Sequence, residues 1–305
     1  MFLAPITIFA YNRPWHIQKT IEALKKNQLA KKSKLFIFSD GPKDEKDRKK
    51  VEEVRQYLRE ITGFKKITII ERRKNLGLAN SIIAGVTEIV NKYGGIIVLE
   101  DDLITSSYFL KFMNEGLNFY EKEKKVVCIH GYVYPVKAKM PETFLLKDPG
   151  CWGWATWKRG WKLFDYDGRK LLMELNKRNL TPEFDYNNSY PFTNMLEDQI
   201  EARVESWAIR WYASLFLKNK LTLYPGRSLV FHSGDDGSGT NSRVSDQFKV
   251  KLSAQSINIK DMPIKENAVV LREYIRHFRS IQPSFILRAG KKVLKSLNRL
   301  LNHKK

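Results

Sequence analysis

The stretch "GGIIVLEDDL", residues 94–103, ends an apolar run on three consecutive carboxylates, Glu100, Asp101 and Asp102. Such a triplet either grips a hard divalent cation, Mg²⁺ or Mn²⁺, beside a phosphate, or sits in water as an exposed turn. In extended backbone, alternate side chains face opposite ways. Glu100 and Asp102 are therefore expected on one side and Asp101 on the other, one carboxylate for a metal and another for a ligand hydroxyl. Three further stretches carry compatible chemistry. "FAYNRP" supplies Asn12 and Arg13, whose guanidinium can meet a phosphate through two parallel hydrogen bonds. "FSDGPK" supplies Asp40, an acceptor for a ribose hydroxyl or a base N–H. "NLGLANSI" supplies Asn75, Gly77 and Asn80. Each of the three is also ordinary turn chemistry when taken alone.

These residues share a place in the chain: each follows a short apolar run. "ITIF", "KLFIF", "KITII" and "GIIVL" read as strands. Between and after them lie helical stripes: Ile17, Ile21 and Leu24, opened by Pro14; Val51, Val54, Leu58 and Ile61; Ile82, Ile83, Val86, Ile89 and Val90; then Phe109, Phe112, Met113 and Leu117. Repeated strand-then-helix order predicts an α/β fold whose mostly parallel sheet is covered on both faces. In such sheets ligands sit beyond the carboxyl ends of the strands, where the polar stretches fall.

After "VVCIH" the texture changes. Trp, Tyr, Pro and Gly become frequent, and the segment holds "GCWGWATWKRGW", a helix around "SWAIRWYASLFL" and the glycine-rich loop "HSGDDGSGTNS" with Gly234, Gly237 and Gly239. Trp152, Trp154 and Trp157 read as core residues, with a second use as an aromatic face for a sugar ring. The end of the chain, "SFILRAGKKVLKSLNRLLNHKK", aligns Ile286, Val293, Leu294, Leu297, Leu300 and Leu301 on one stripe. Arg288, Lys291, Lys292, Lys295 and Arg299 fill the rest. That pattern fits an interfacial helix on an anionic membrane, or a basic helix packed on its own domain.

The chain has 305 residues, 43% of them hydrophobic, and 54 Lys plus Arg against 33 Asp plus Glu, a net charge of +21. The field favours anionic partners without choosing among nucleic acid, lipid head groups and phosphorylated small molecules. Cys128 and Cys151 form no Cys-x-x-Cys pair, so neither a zinc site nor a disulfide framework is signalled. "MFLAPITIFA" lacks a basic leader and reads as a first strand, and no apolar run is long enough to span a bilayer.

In order, "FAYNRP", "FSDGPK", "RRKNLGLANSI", "VLEDDL", "GCWGWATW" and "SWAIRW" resemble bacterial GT-A-fold glycosyltransferases, family 2-like and related to animal N-acetylglucosaminyltransferase I. The resemblance runs over roughly residues 1 to 245. It implies a Rossmann-like sheet flanked by helices, with residues 1–130 as the nucleotide-sugar-binding half and 131–260 as the acceptor-binding and catalytic half. Residues 261–305 would be a basic helical tail. It further implies a nucleoside diphosphate sugar donor, UDP-linked in the first instance, and an Mn²⁺ or Mg²⁺ ion. By the match Asp102 would ligate the metal, Glu100 and Asp101 would contact sugar or ribose, and Arg13 and Asp40 would hold the nucleotide. Asn12, Asn75 and Asn80 would line the same donor site. His232 is a candidate second ligand, since GT-A enzymes often bring a histidine from a C-terminal loop.

The chain departs from the pattern at Ala208, where related enzymes carry an acidic residue after the matched tryptophan, Trp207. Glu205, and further upstream Asp198, are the candidate general bases. The implied activity is inverting, metal-dependent sugar transfer to a hydroxyl of a glycan or lipid-linked acceptor in bacterial cell-surface polysaccharide synthesis. The implied place is cytoplasmic, peripheral on the inner face of the plasma membrane. Three other readings compete. A sugar nucleotidyltransferase would want a glycine- and lysine-rich phosphate loop, which "AYNRPWHIQK" lacks. A basic nucleic-acid-binding protein is motivated by charge, but no binding motif accompanies it, so no nucleic-acid partner is expected. Ala208 keeps a degenerate sugar-binding protein open.

Overall fold

The computed structural model describes residues 3–238 and 244–282. The four apolar runs are β1 (Ile6–Ala10), β2 (Lys34–Ser39), β3 (Lys66–Glu71) and β4 (Gly95–Glu100), with α1 (Pro14–Lys25), α2 (Glu45–Glu60) and α3 (Leu78–Tyr93) between them. Local chemistry sets the helix ends. Pro14 opens α1 at a position that needs no amide donor. The Asp44 side chain accepts from the amides of Lys46 and Asp47 to cap α2. Gly94, in the left-handed region, stops α3.

A short strand, β5 (Leu103–Thr105), precedes α4 (Phe109–Phe119) and β6 (Val126–His130). The second half holds β7 (Thr143–Leu146), β8 (Trp154–Trp157), α5 (Lys158–Trp161), α6 (Gly168–Lys177), α7 (Thr181–Phe184) and α8 (Phe192–Ile200). After them come α9 (Ala208–Leu217), β9 (Leu221–Pro225), β10 (Val230–His232) and α10 (Ala268–Ile281).

Eight strands form one sheet in the order β3-β2-β1-β4-β8-β6-β9-β7, and β10 pairs with β5 in a separate ribbon. The pairings β1–β2, β1–β4, β2–β3 and β6–β9 are parallel; β4–β8, β6–β8 and β7–β9 are antiparallel. The mostly parallel, helix-covered α/β sheet expected from the sequence is therefore present. Its strands from the second half join the same sheet: Trp154 to Trp157 insert antiparallel beside β4. Ile17, Ile21, Leu24, Val54 and Leu58 bury one face. Ile82, Val86, Ile89 and Val90, with Trp154, Trp207 and Trp211, bury the other. Each such aliphatic side chain contributes about 1.5–3 kcal/mol relative to leaving it in water.

A third cluster joins Phe144, Phe184, Tyr212, Tyr224, Tyr274 and Phe278. Within the segment 261–305, α10 thus packs into the core through Val270, Tyr274, Ile275 and Phe278. The amphipathic stripe from Ile286 onward lies outside the described residues, as does Gly239 of the glycine-rich loop. Among the described residues no helix is long and apolar enough to cross a membrane.

Candidate active site

The chain leaves β1 toward β2 on one side of the sheet and reaches β4 on the other, so the carboxyl ends of β1 and β4 flank a topological switch point. Phe9 is in register with Glu100 across that pair. Arg13, three residues past β1, and Asp101 and Asp102, just past β4, consequently emerge side by side. The Arg13 guanidinium pairs with Asp101 Oδ1 and lies 2.9 Å from Asp102 Oδ2. This corrects the expectation that Asp101 and Asp102 face opposite ways. The strand stops at Glu100, and the turn that follows releases the two side chains from pleat alternation. Thr20 Oγ1 fixes the turn by donating to the Asp101 carbonyl at 2.7 Å.

The β5–β10 ribbon brings in the histidine. His232 is in register with Leu103, and its Nε2 lies 3.4 Å from Asp102 Oδ2, while its Nδ1 lies 3.2 Å from Asp235 Oδ1. Ser233 donates to the Asp102 carbonyl through both its amide (2.9 Å) and its hydroxyl (2.8 Å). Trp152 stacks on the imidazole, with centroids 4.5 Å apart and an 8° interplanar angle. Gly234 is required by the close approach: a Cβ there would stand 2.3 Å from Asp102 Oδ2. Beyond it, Asp236 Oδ2 reaches His16 Nε2 on α1 at 3.1 Å, tying the loop across the site.

The neighbouring charges separate the carboxylates. Burial, then the charges of Asp102 and Asp101, push Glu100 up to about 8. Burial likewise raises Asp101 against the pull of Arg13. At Asp102 burial acts upward, but the hydrogen bond from His232 and the charge of Arg13 prevail and hold it down at about 2. Burial opposes protonation of His232, yet Asp102 and Asp235 outweigh it and raise the imidazole. Burial and neighbouring charge thus drive the two carboxyls in opposite directions, Glu100 up and Asp102 down, so that Asp102 is the readier anion of the pair.

Asp102 and His232 present one carboxylate oxygen and one imidazole nitrogen at a separation that two adjacent ligands of one ion can adopt, and the Gly234 backbone packs close against both. Among the described residues no group of three or more His, Cys, Asp or Glu is placed to hold a metal. A two-ligand set fits a hard cation that completes its shell with phosphate oxygens and water.

The remaining candidates lie along the same edge. Asp40 is buried and engaged: its oxygens accept from the amides of Gly41 (3.1 Å), Leu76 (3.0 Å) and Gly77 (3.1 Å). Burial still raises its carboxyl. Asn75 Nδ2 donates to the Gly41 carbonyl at 2.8 Å, joining the two loops, and Asn80 Nδ2 donates to the Leu76 carbonyl at 3.0 Å. Asn12 turns to α2, donating to Asp47 Oδ1 at 2.7 Å beside the Tyr11 hydroxyl, which donates to Oδ2 at 2.6 Å. Glu205 comes from the loop before α9 and lies against Gly77, whose added Cβ would meet Oε1 at 2.7 Å. Asp198 sits on α8 in an ion pair with Arg203.

His16 was missed by sequence reasoning, while Trp152 and Gly234 were named, one as core with a second use as a sugar platform and one in the glycine-rich loop, but neither as a neighbour of His232. Trp152 reads as core because nothing in its spacing separates it from Trp154 and Trp157, which are core at 0% and 8% exposure. Gly234, two residues after His232, carried the only local signal.

Residues 6–146 match the model for glycosyl transferase family 2. No curated protein matches the sequence. Among solved structures the chain is similar to the mannosyltransferase PcManGT from Pyrobaculum calidifontis in complex with GDP-Man and Mn²⁺, at 9% identity over 72% of this chain and 70% of that one, TM-score 0.43. It is also similar to the galactosyltransferase LgtC in complex with donor and acceptor sugar analogs, at 9% identity over 72% of each chain, TM-score 0.37. A UDP-glucose pyrophosphorylase complexed with UDP-glucose is similar at 11% identity over 73% of this chain and 90% of that one, TM-score 0.35. Likenesses at this level carry no functional argument, and they span transferases of two kinds. The family match is the weightier finding, because its span contains Arg13, Asp40 and the whole acidic triplet. Residues 6–146, which carry the four parallel strands and the acidic turn, are thus the part of the chain that is similar to glycosyl transferase family 2.

Proposed function

We propose that the protein is a glycosyltransferase, metal-dependent and inverting, and that it moves a sugar from a nucleoside diphosphate sugar, UDP-linked in the first instance, to a hydroxyl of a glycan or lipid-linked acceptor. The observation that carries this reading is the meeting of Arg13, Asp102 and His232 at the β1/β4 switch point. Asp102 and His232 would hold Mn²⁺ or Mg²⁺, and the bound ion supplies positive charge for the departing diphosphate.

The chain's own groups account for the rest. Arg13 binds the diphosphate through its guanidinium fork. Asp40 holds the amides of Leu76 and Gly77 in place and so shapes the nucleotide end at the start of α3, with Asn75 and Asn80 bracing that loop and Asn12 bracing α2. Glu100 and Asp101 contact hydroxyls of sugar or ribose. Glu205, exposed and close to the first turn of α3, takes the proton from the acceptor hydroxyl as its oxygen attacks the anomeric carbon. The leaving oxygen departs from the opposite face, so one displacement inverts the centre with no covalent enzyme intermediate. Asp198 is the lesser candidate because Arg203 already holds its carboxylate.

The acceptor would belong to a bacterial cell-surface polysaccharide, and the enzyme would work from the cytoplasm. The basic stripe from Arg288 to Arg299 would rest it on the inner face of the plasma membrane. The test is turnover of UDP-, GDP- and dTDP-sugars with and without Mn²⁺, followed as release of nucleoside diphosphate. Metal-stimulated release that a hydroxyl acceptor accelerates supports the reading, and release that ignores the metal removes it. The anomeric configuration of the product, read by NMR, tests inversion separately.

A further inference from the structure

One oxygen in the site has two suitors. Asp102 Oδ2 is 2.9 Å from the Arg13 guanidinium and 3.4 Å from His232 Nε2. The same arginine also pairs with Asp101, so a single fixed cation spans both aspartates of the turn. Arg13 is held there from behind. Its carbonyl accepts from the Ile17 amide at 3.1 Å as α1 begins, and Pro14 fixes the backbone that follows. Its side chain is only 17% exposed, and its Nη1 is buried with no hydrogen-bond partner. A guanidinium with a buried donor to spare beside a phosphate site is half-committed: one edge is on the carboxylates and one N–H lacks an acceptor.

We infer that Arg13 is a built-in counter-ion that occupies the metal-binding oxygen of Asp102 until a diphosphate draws it away, so that divalent cation and nucleotide bind as a coupled pair. The inference rests on the proposed donor site. A divalent ion on Asp102 and a guanidinium at hydrogen-bonding distance from the same oxygen repel each other in a half-dry setting. The repulsion is relieved when the fork exchanges Asp102 for phosphate oxygens, which also supply the acceptor that Nη1 lacks. Coupling of this kind is reciprocal: the nucleotide strengthens metal binding by the same factor as the metal strengthens nucleotide binding. Arg13 is thus a positioning residue that sets binding order, in addition to its contact with the diphosphate.

The test is direct titration of Mn²⁺ by electron paramagnetic resonance, with and without saturating UDP and with free Mn²⁺ corrected for chelation by the nucleotide. In the intact enzyme, Mn²⁺ alone should bind weakly and UDP should tighten it by about tenfold or more, within the usual range for linked sites. Arg13→Gln should bind Mn²⁺ alone at least about fivefold more tightly and lose most of the UDP effect. Arg13→Lys, which keeps the charge, should stay weak with the metal alone. Melting temperatures confirm that each variant folds. An Arg13→Gln affinity for Mn²⁺ alone equal to or below that of the intact enzyme, while Asp102→Asn loses the ion, overturns the inference and leaves the metal site standing. Absence of Mn²⁺ binding from every form, UDP present or not, overturns the metal reading itself and the inference with it.

Discussion

Trp152 lies flat on His232, ring against ring at 4.5 Å and 8°, while Asp235 meets the imidazole Nδ1 and leaves Nε2 turned to Asp102. The stack fixes the ring's plane, and in that plane Nε2 faces Asp102 before any ligand arrives. Tyr132 and Phe248 hold the tryptophan edge-on at 4.7 and 5.8 Å.

Trp152→Leu should therefore weaken Mn²⁺ binding by about tenfold, the usual scale for losing a support behind a ligand. Titration of the ion in the presence of UDP measures it. An unchanged affinity would reduce Trp152 to a packing residue.

Gly77 has φ +74 and ψ 159, a conformation that only glycine adopts readily, and an added Cβ would stand 2.7 Å from the Glu205 carboxylate. Gly77→Ala is expected to cost about 1–3 kcal/mol of stability from backbone strain alone, and to displace Glu205. Urea unfolding checks the first effect and the turnover rate the second.

If Glu205 is the base, Glu205→Gln should leave the thermal shift produced by UDP and Mn²⁺ unchanged while turnover falls by about 10²–10⁴. Asp198→Asn should lower turnover far less, since Arg203 already claims that carboxylate. The reverse ranking would transfer the role to Asp198.

Acid stability carries a signature of His130. It is buried, and neither ring nitrogen has a hydrogen-bond partner; burial lowers its pKa from 6.5 to about 3. Between those values the unfolded chain binds a proton that the native state does not, so stability falls as pH drops below 6.5, with a slope approaching about 1.4 kcal/mol per pH unit. Stability curves of the native chain and His130→Leu, compared from pH 7 to 4.5, should differ by that single-proton slope. Parallel curves would contradict it.

How far the molecule could be read in advance depended on the range of the interaction. β1 to β4 and α1 to α4 were legible because period and burial are local: Ile17, Ile21 and Leu24 share a stripe and are all buried. Arg13 and Asp102 were legible for a related reason, since a parallel sheet puts every strand's carboxyl end on one edge. The insertion of Trp154–Trp157 between β4 and β6 was not legible, because antiparallel pairing between distant segments leaves no periodic trace. Nor was the turn that sends Asp101 and Asp102 to one arginine, which depends on where β4 stops. Asp40 looked like a free acceptor; the amides of Leu76 and Gly77, thirty-six and thirty-seven residues on, already engage it.

The most direct test is calorimetric titration of the intact enzyme with UDP, GDP and dTDP, with and without Mn²⁺, repeated on Asp102→Ala. The account predicts that at least one nucleotide binds, that Mn²⁺ strengthens it, and that Asp102→Ala abolishes the strengthening while still folding. Nucleotide binding indifferent to Mn²⁺, or a metal effect that survives in Asp102→Ala, would contradict it.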